Sequence, residues 1–154
     1  MNKIYLFDWG NTLMVDFEDQ EGKMFEWDKV QAVNGAHEAL DKLSNKHEIY
    51  IATNAGDSSV LDIEQAFQRV GLAKYVTGYF CKASLGIGKR DAEFFNEIAC
   101  QLKRQVSDFV MVGDSLNNDI YPALMAGMDA IWLNTLSIEI NDDSVNQIVS
   151  LYQL

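Results

Sequence analysis

Short apolar runs alternate along the chain with stretches in which apolar side chains recur every three or four positions. Ile4-Tyr5-Leu6-Phe7, Ile49-Tyr50-Ile51-Ala52, Phe109-Val110-Met111-Val112 and Ala130-Ile131-Trp132-Leu133 are four clear runs, and Val76 to Cys81 is a fifth, interrupted by Gly78. Runs without polar alternation suit strands covered on both faces, as in a parallel sheet. Between them, Val30, Val33, His37, Leu40 and Leu43 keep helical spacing and predict a helix from about Asp28. Val60, Ile63, Phe67 and Val70 predict a second helix, closed by Gly71 where a left-handed cap is favoured. Phe94 or Phe95, Ile98 and Leu102 mark a third, and Ile120 to Met125 a short fourth ending at Gly127. Pro122 is tolerated there if the helix begins near Asn118, because first-turn amides lack intrahelical partners. Val145, Ile148, Val149 and Tyr152 predict a fifth helix at the C-terminus. Strands alternating with helices predict an α/β domain with a mainly parallel sheet.

Composition narrows the function. The 154 residues carry 12 basic and 23 acidic side chains, a net charge of −11. Such a surface opposes binding to phosphate backbones or anionic lipid, so neither nucleic acid nor membrane is an expected partner. No apolar run approaches the ~18–20 residues of a membrane span. The start, Met1-Asn2-Lys3 and then Ile4 to Phe7, is cut off by Asp8 too early for a signal peptide. Cys81 and Cys100 lack metal-ligand spacing and read as reduced core thiols. A cytoplasmic location is expected.

The chemistry gathers where the strands end. Phe7 is followed by Asp8, Ala52 by Thr53-Asn54, and Val112 by Gly113-Asp114. Ligands of an open parallel sheet bind outside the carboxyl ends of its strands. Two carboxylates, a hydroxyl and the amides behind it would share one crevice. Paired carboxylates with water and a substrate phosphate are a usual shell for Mg²⁺. Lys89, just ahead of the third helix, would neutralise the oxyanions. Taken singly, Asp8 and Asp114 would read as helix caps and Lys89 as a solvated lysine. Gly86-Ile87-Gly88-Lys89 lacks the spacer of a P-loop. His37 reads as a packing residue and His47 as a helix-exit cap. Trp9 either faces substrate or braces its loop.

Together these segments resemble the haloacid dehalogenase superfamily. Phe7-Asp8-Trp9-Gly10-Asn11-Thr12-Leu13 resembles its first motif, whose usual form is Asp-x-Asp-x-Thr; Thr53-Asn54 resembles the second. Gly86 to Phe95 resembles the third, with the family lysine at Lys89, and Gly113-Asp114-Ser115-Leu116-Asn117-Asn118-Asp119 the acidic fourth. The resemblance runs from Lys3 to about Asn134 and implies a Rossmann-like three-layer α/β/α sandwich. It also implies a phosphohydrolase with Asp8 as nucleophile, forming an aspartyl-phosphate. Asp8, the Gly10 carbonyl and Asp114 would hold Mg²⁺; Thr53, Asn54 and Lys89 would bind the phosphoryl group. Asp119 would orient Lys89 or a metal-bound water. The implied partner is a small phosphate ester or a larger phosphorylated substrate.

Two departures qualify the resemblance. The family's phosphatases carry an acid/base Asp two residues after the nucleophile, and here that residue is Gly10. A missing general acid typically costs about 10²–10⁴-fold, so esters whose leaving group departs unprotonated are expected to be favoured. Asp16, Glu18, Asp19 or a water are candidate replacements, and the sequence places none of them. The second departure is size. Only 35 residues separate Leu13 from Ile49 and 34 separate Asn54 from Lys89, too few for a separate cap domain. One domain over 1–154 is expected, its site either open or roofed by a second subunit or by 14–27 as a small lid, a segment that otherwise packs over its own domain edge. Alternative readings are cleavage of a carbon–phosphorus bond, with Lys23 as imine-forming lysine, cleavage of a carbon–halogen bond, or a non-catalytic binding relative.

Overall fold

The computed structural model describes residues 3–154. Strands β1 (Ile4–Phe7), β2 (Glu48–Thr53), β3 (Gly78–Cys81), β4 (Phe109–Gly113), β5 (Asp129–Leu133) and β6 (Asn146–Ile148) form one sheet in the order β3-β2-β1-β4-β5-β6. Every pairing is parallel. The helices are α1 (Ala36–Ser44), α2 (Val60–Arg69), the single turn α3 (Lys82–Leu85), α4 (Ala92–Gln101) and α5 (Tyr121–Ala126).

Alternate strand residues feed two cores. Phe7, Ile49, Ile51, Val110 and Val112 pack with Ala39 and Leu40 of α1 and Ile63 and Phe67 of α2. Ile4, Leu6, Phe109 and Met111 pack on the other face with Phe94, Phe95 and Ile98 of α4 and Ala123 of α5. The unalternating strand sequences follow from this, since each strand face needs apolar side chains. The result is the three-layer α/β/α sandwich.

Local signals account for most boundaries. Ser59 caps α2, accepting from the Asp62 amide while Asp62 accepts from the Ser59 amide, and Gly71 follows at φ +75°. Asp91 caps α4 through the Glu93 amide. The fourth predicted helix opens as a π-turn over Leu116–Ile120 and continues as α5, with Pro122 in its first turn and Gly127 at φ +98°.

Three expectations are corrected. The first helix begins at Ala36 rather than near Asp28. Residues before it are held by the loop after β1, with the Val15 amide donating to the Gln31 carbonyl and the Val33 amide to the Leu13 carbonyl. Gly35, at φ +85°, then breaks the chain direction, so the buried stripe is Ala36, Ala39, Leu40 and Leu43, and His37 is exposed against Tyr75. The predicted C-terminal helix is instead β6 and a 3-10 turn over Leu151–Gln153. Val145, Ile148 and Val149 are β-branched, and the free edge of β5 offers a ladder that a short helix cannot match. Cys81 is buried as expected; Cys100 is exposed.

The 3-10 turn docks on α1 at Gly35. A Cβ there would stand 3.1–3.2 Å from Tyr152 and Leu151. Gly35→Ala is therefore expected to lower unfolding free energy by about 1–3 kcal/mol through crowding, with added strain at positive φ. Urea denaturation measures this, and an unchanged midpoint would contradict the docking.

Candidate active site

The carboxyl end of β1 continues one residue past the strand, where the Asp8 amide donates to the Val112 carbonyl at 2.9 Å. This fixes Asp8 beside the end of β4. The Asp8 carboxylate is buried; its Oδ1 lies 2.6 Å from Lys89 Nζ and its Oδ2 accepts from Thr12 Oγ1 at 3.1 Å. Lys89 is buried too and donates a second bond to Asp119 Oδ1 at 2.5 Å. Asp119 in turn accepts from the Ser115 amide through Oδ2 at 3.1 Å.

Each partner is set by its own segment. Lys89 sits between α3 and α4, and its amide donates to Asn54 Oδ1 at 2.6 Å, which ties the lysine loop to the end of β2. Asp119 lies in the π-turn after β4 and leans on Gly113, where any Cβ would collide with its carboxylate and its Cβ. Gly113 is required by that approach. Asp114 is half-buried, with its carbonyl accepting from Trp132 Nε1 at 3.0 Å. Thr12 Oγ1 stands 3.4 Å from Asp114 Oδ1 and so spans the two aspartates. Thr53 is buried at the end of β2 and its Oγ1 accepts from the Ala55 amide.

The structure thus joins Asp8, Lys89, Asp114 and Asp119 in one hydrogen-bonded group, and joins Asn54 to it through the Lys89 backbone. Thr53 stands at the end of the neighbouring strand. Sequence reasoning gave no role to Thr12, Ser115 or Trp132. The Thr of the first motif was the one available signal, since a buried hydroxyl must find a partner. Trp9 is buried and packs on Phe67, and its indole N–H has no hydrogen-bond partner among the described residues.

Electrostatics divide the carboxylates. Burial opposes ionisation of Asp8, but the Lys89 ammonium and hydrogen bonds from Asp114, Lys89 and the Trp9 amide outweigh it, so Asp8 lies below its ordinary value. Lys89 would lose its proton more easily through burial, yet Asp8 and Asp119 together raise it above the usual lysine value. Burial, then the Asp8 carboxylate, pushes Asp114 up to about 8. Burial and the charge of Asp8 push Asp119 up to about 6, against the pull of Lys89. Ligand oxygens of Asp8, Asp114 and Asp119 all lie within 4.8 Å of one another. One ammonium faces three carboxylates, which leaves two negative charges when all ionise. The donor set, hard oxygens and an excess charge of two, fits a small divalent cation.

Two clefts flank this group. One of about 300 Å³ is lined by Trp9, Gly10, Asp16, Met24, Trp27 and Thr53, among others. The other, about 330 Å³, is lined by Asp114, Trp132, Leu136 and neighbouring residues. Segment 14–27 walls the first cleft and is anchored to α2. Lys23 pairs with Asp62 at 3.0 Å, and Arg69 donates to the Phe25 and Trp27 carbonyls.

Comparison with known proteins identifies the family. A family model for haloacid dehalogenase-like hydrolases matches residues 5–127. The chain belongs to that family. It is 34% identical over 115 residues to the pyrimidine 5'-nucleotidase PynA of Streptococcus pneumoniae, covering 71% of this chain and 46% of PynA. It is 25% identical over 117 residues to the putative HAD-hydrolase YfnB of Bacillus subtilis, covering 75% of this chain and 48% of YfnB. The chain therefore spans about half the length of these curated relatives. Among solved structures, an uncharacterized protein from Listeria monocytogenes serotype 4b superposes with a TM-score of 0.86 at 22% identity, over 99% of this chain and 94% of that one. A magnesium-bound structure of YfnB superposes with a TM-score of 0.69 at 24% identity, over 80% of this chain and 53% of that one. Among the described residues, no helix of this haloacid dehalogenase-like hydrolase is long and apolar enough to cross a membrane.

Replacing the ammonium tests the ion group directly. Lys89→Met leaves Asp8 and Asp119 buried without their counter-charge, and is expected to cost about 3–5 kcal/mol of stability. Chemical denaturation in a chelating buffer reads this; a loss below about 1 kcal/mol would mean that the carboxylates are not held by the lysine.

Proposed function

We propose that the protein is a Mg²⁺-assisted phosphohydrolase that works through an aspartyl-phosphate on Asp8. The observation that supports this best is the buried Lys89 ammonium shared by Asp8 and Asp119, with Asp114 alongside. It gives an ionised carboxylate at a strand end, next to a fixed positive charge. Asp8, the Gly10 carbonyl and Asp114 would hold the cation. When bound, the ion offsets negative charge on the transferring phosphoryl group.

The chain's own groups do the rest. An Asp8 oxygen attacks phosphorus, and the bond to the leaving oxygen breaks with its electron pair. Water then attacks the same phosphorus and frees Asp8. Lys89 Nζ, the Thr53 hydroxyl and the Asn54 main-chain amide bind phosphoryl oxygens, since the Asn54 side chain is engaged on the Lys89 amide. Preorganised donors of this kind supply most of the stabilisation in phosphoryl transfer. Asp119 holds Lys89 in position. The substrate is a phosphate ester, and the name of PynA places pyrimidine nucleoside monophosphates in the first panel to assay.

The carbon–phosphorus reading loses its lysine. Lys23 is ion-paired with Asp62, whose hydrogen bond and charge raise it above the usual lysine value, whereas imine formation needs a neutral amine. The carbon–halogen reading needs no cation and leaves the excess charge of the three carboxylates without a purpose.

Two measurements test the reading. Asp8→Asn and Asp114→Asn are each expected to abolish turnover of a phosphate-ester panel in Mg²⁺ while circular dichroism stays native. Retention of most activity by a folded Asp8→Asn protein would remove the covalent route. Cation binding is expected to release a proton, because Asp114 otherwise holds one up to about pH 8. Mg²⁺ affinity should thus weaken as pH falls below about 8. Calorimetry at pH 7 in two buffers of different ionisation enthalpy measures the proton count, and a count of zero contradicts the assigned ligands.

A further inference from the structure

Hydrolysis of an alkyl phosphate needs a proton for the departing oxygen, and residue 10, a glycine, has none to give. The structure fills that space from elsewhere in the same loop. A Cβ built on Gly10 would stand 3.4 Å from the Asp16 Cβ and 3.5 Å from Asp16 Oδ2. The Asp16 side chain therefore lies over the Cα of Gly10, in the volume a side chain at position 10 would enter.

The loop is built to bring it there. After β1 the chain folds sharply back, with the Leu13 and Met14 amides donating to the Trp9 carbonyl and the Asn11 amide to the Met14 carbonyl. Asn11 takes φ +60°, a conformation asparagine tolerates, and its Oδ1 accepts from the Asp16 amide at 3.0 Å. The Val15 amide donates to the Gln31 carbonyl, which fixes the return strand just before Asp16. Two segments thus hold the Asp16 backbone, while its side chain stays exposed on the wall of the cleft shared with Trp9, Thr53 and Trp27. Glu18 and Asp19, the other acids considered from sequence, do not line that cleft; Asp57 does, but it accepts from Ser58 Oγ and is not among the atoms nearest a Cβ at Gly10.

We propose that Asp16 is the proton donor and acceptor of the reaction, replacing the carboxylate that Gly10 lacks; this rests on the phosphohydrolase reading. In the first half-reaction an Asp8 oxygen bonds to phosphorus, the phosphorus–oxygen bond to the leaving group breaks, and the leaving oxygen takes the Asp16 proton as the alcohol departs. In the second, the Asp16 carboxylate removes a proton from water as the water oxygen bonds to phosphorus. The bond from Asp8 to phosphorus breaks, inorganic phosphate leaves, and Asp16 is again protonated. No other reactant is needed. The absence of a carboxylate at position 10 therefore does not by itself bias the enzyme against alkyl esters.

Leaving-group dependence separates this role from a structural one. With Mg²⁺ present, kcat/KM is measured for an alkyl phosphate and for p-nitrophenyl phosphate in the wild type and in Asp16→Asn, Asp57→Asn and Asp19→Asn. Asp16→Asn is expected to lower kcat/KM for the alkyl ester by about 10²–10⁴-fold and for the aryl ester by less than about tenfold, because nitrophenolate leaves without a proton. The slow second half-reaction of that variant should appear as a burst of one nitrophenol per chain. Asp19→Asn should behave as the wild type. Adding Gly10→Asp to Asp16→Ala should restore part of the alkyl activity, since the backbone at residue 10 is unstrained and the space is then free. Equal losses on both esters, no loss on either, or an alkyl-selective loss in Asp57→Asn instead would each overturn the assignment and leave the hydrolase reading standing. Wild-type protein that turns over neither ester would remove both.

Discussion

A buried ammonium between two buried carboxylates sets the geometry of this molecule. Lys89 Nζ reaches Asp8 at 2.6 Å and Asp119 at 2.5 Å, and these groups come from β1, the α3–α4 connection and the turn after β4. An isolated charge in such a place would be expelled or neutralised. The three segments are thus bound to one another by the cost of separating them. The hydrogen bonds around them, from Thr12, Ser115 and the Asn54 side chain, complete the group and leave little freedom in any one rotamer.

The sheet order explains why these groups meet. β1 lies between β2 and β4, so connections leave its two sides toward opposite faces, and a crevice opens above its end. Residues 46 and 106 positions from Asp8, Asn54 and Asp114, are thereby brought to one place. The same end is left with more negative charge than one lysine offsets. That excess shows in Asp114, held up to about 8, and it matches what a hard dication would supply.

Much of this was legible in the sequence. Five of the six strands appear as apolar runs, because both faces of a parallel strand are buried and the code is hydrophobicity alone. Asp8, Thr53, Lys89 and Asp114 stand at strand ends or next to helix starts, where spacing and residue type agree. The failures have physical causes. Val30 and Val33 keep helical spacing, but Gly35 and the bonds from the Val33 amide to the Leu13 carbonyl and from the Val15 amide to the Gln31 carbonyl hold that segment out of a helix. Ile148 and Val149 fit a helix or a strand over so short a stretch, and the unpaired edge of β5 decided. Asp16 was one acid among several because a tight reversal such as that from Trp9 to Asp16 depends on Asn11 at positive φ, which no spacing rule reveals.

The π-turn at Leu116–Ile120 constrains the chain in a different way from the residues it carries. Its hydrogen bonds include Ile120 and Tyr121 amides donating five residues back, to the Ser115 and Leu116 carbonyls. Successive helical residues are rotated by about 100°, so one residue fewer between Gly113 and Asp119 would swing that carboxylate off the strand end. Leu116 and Asn117 make no hydrogen bond to the ion group through their side chains. The turn therefore fixes a count as well as a kind: the number of residues between Gly113 and Asp119 decides where that carboxylate falls.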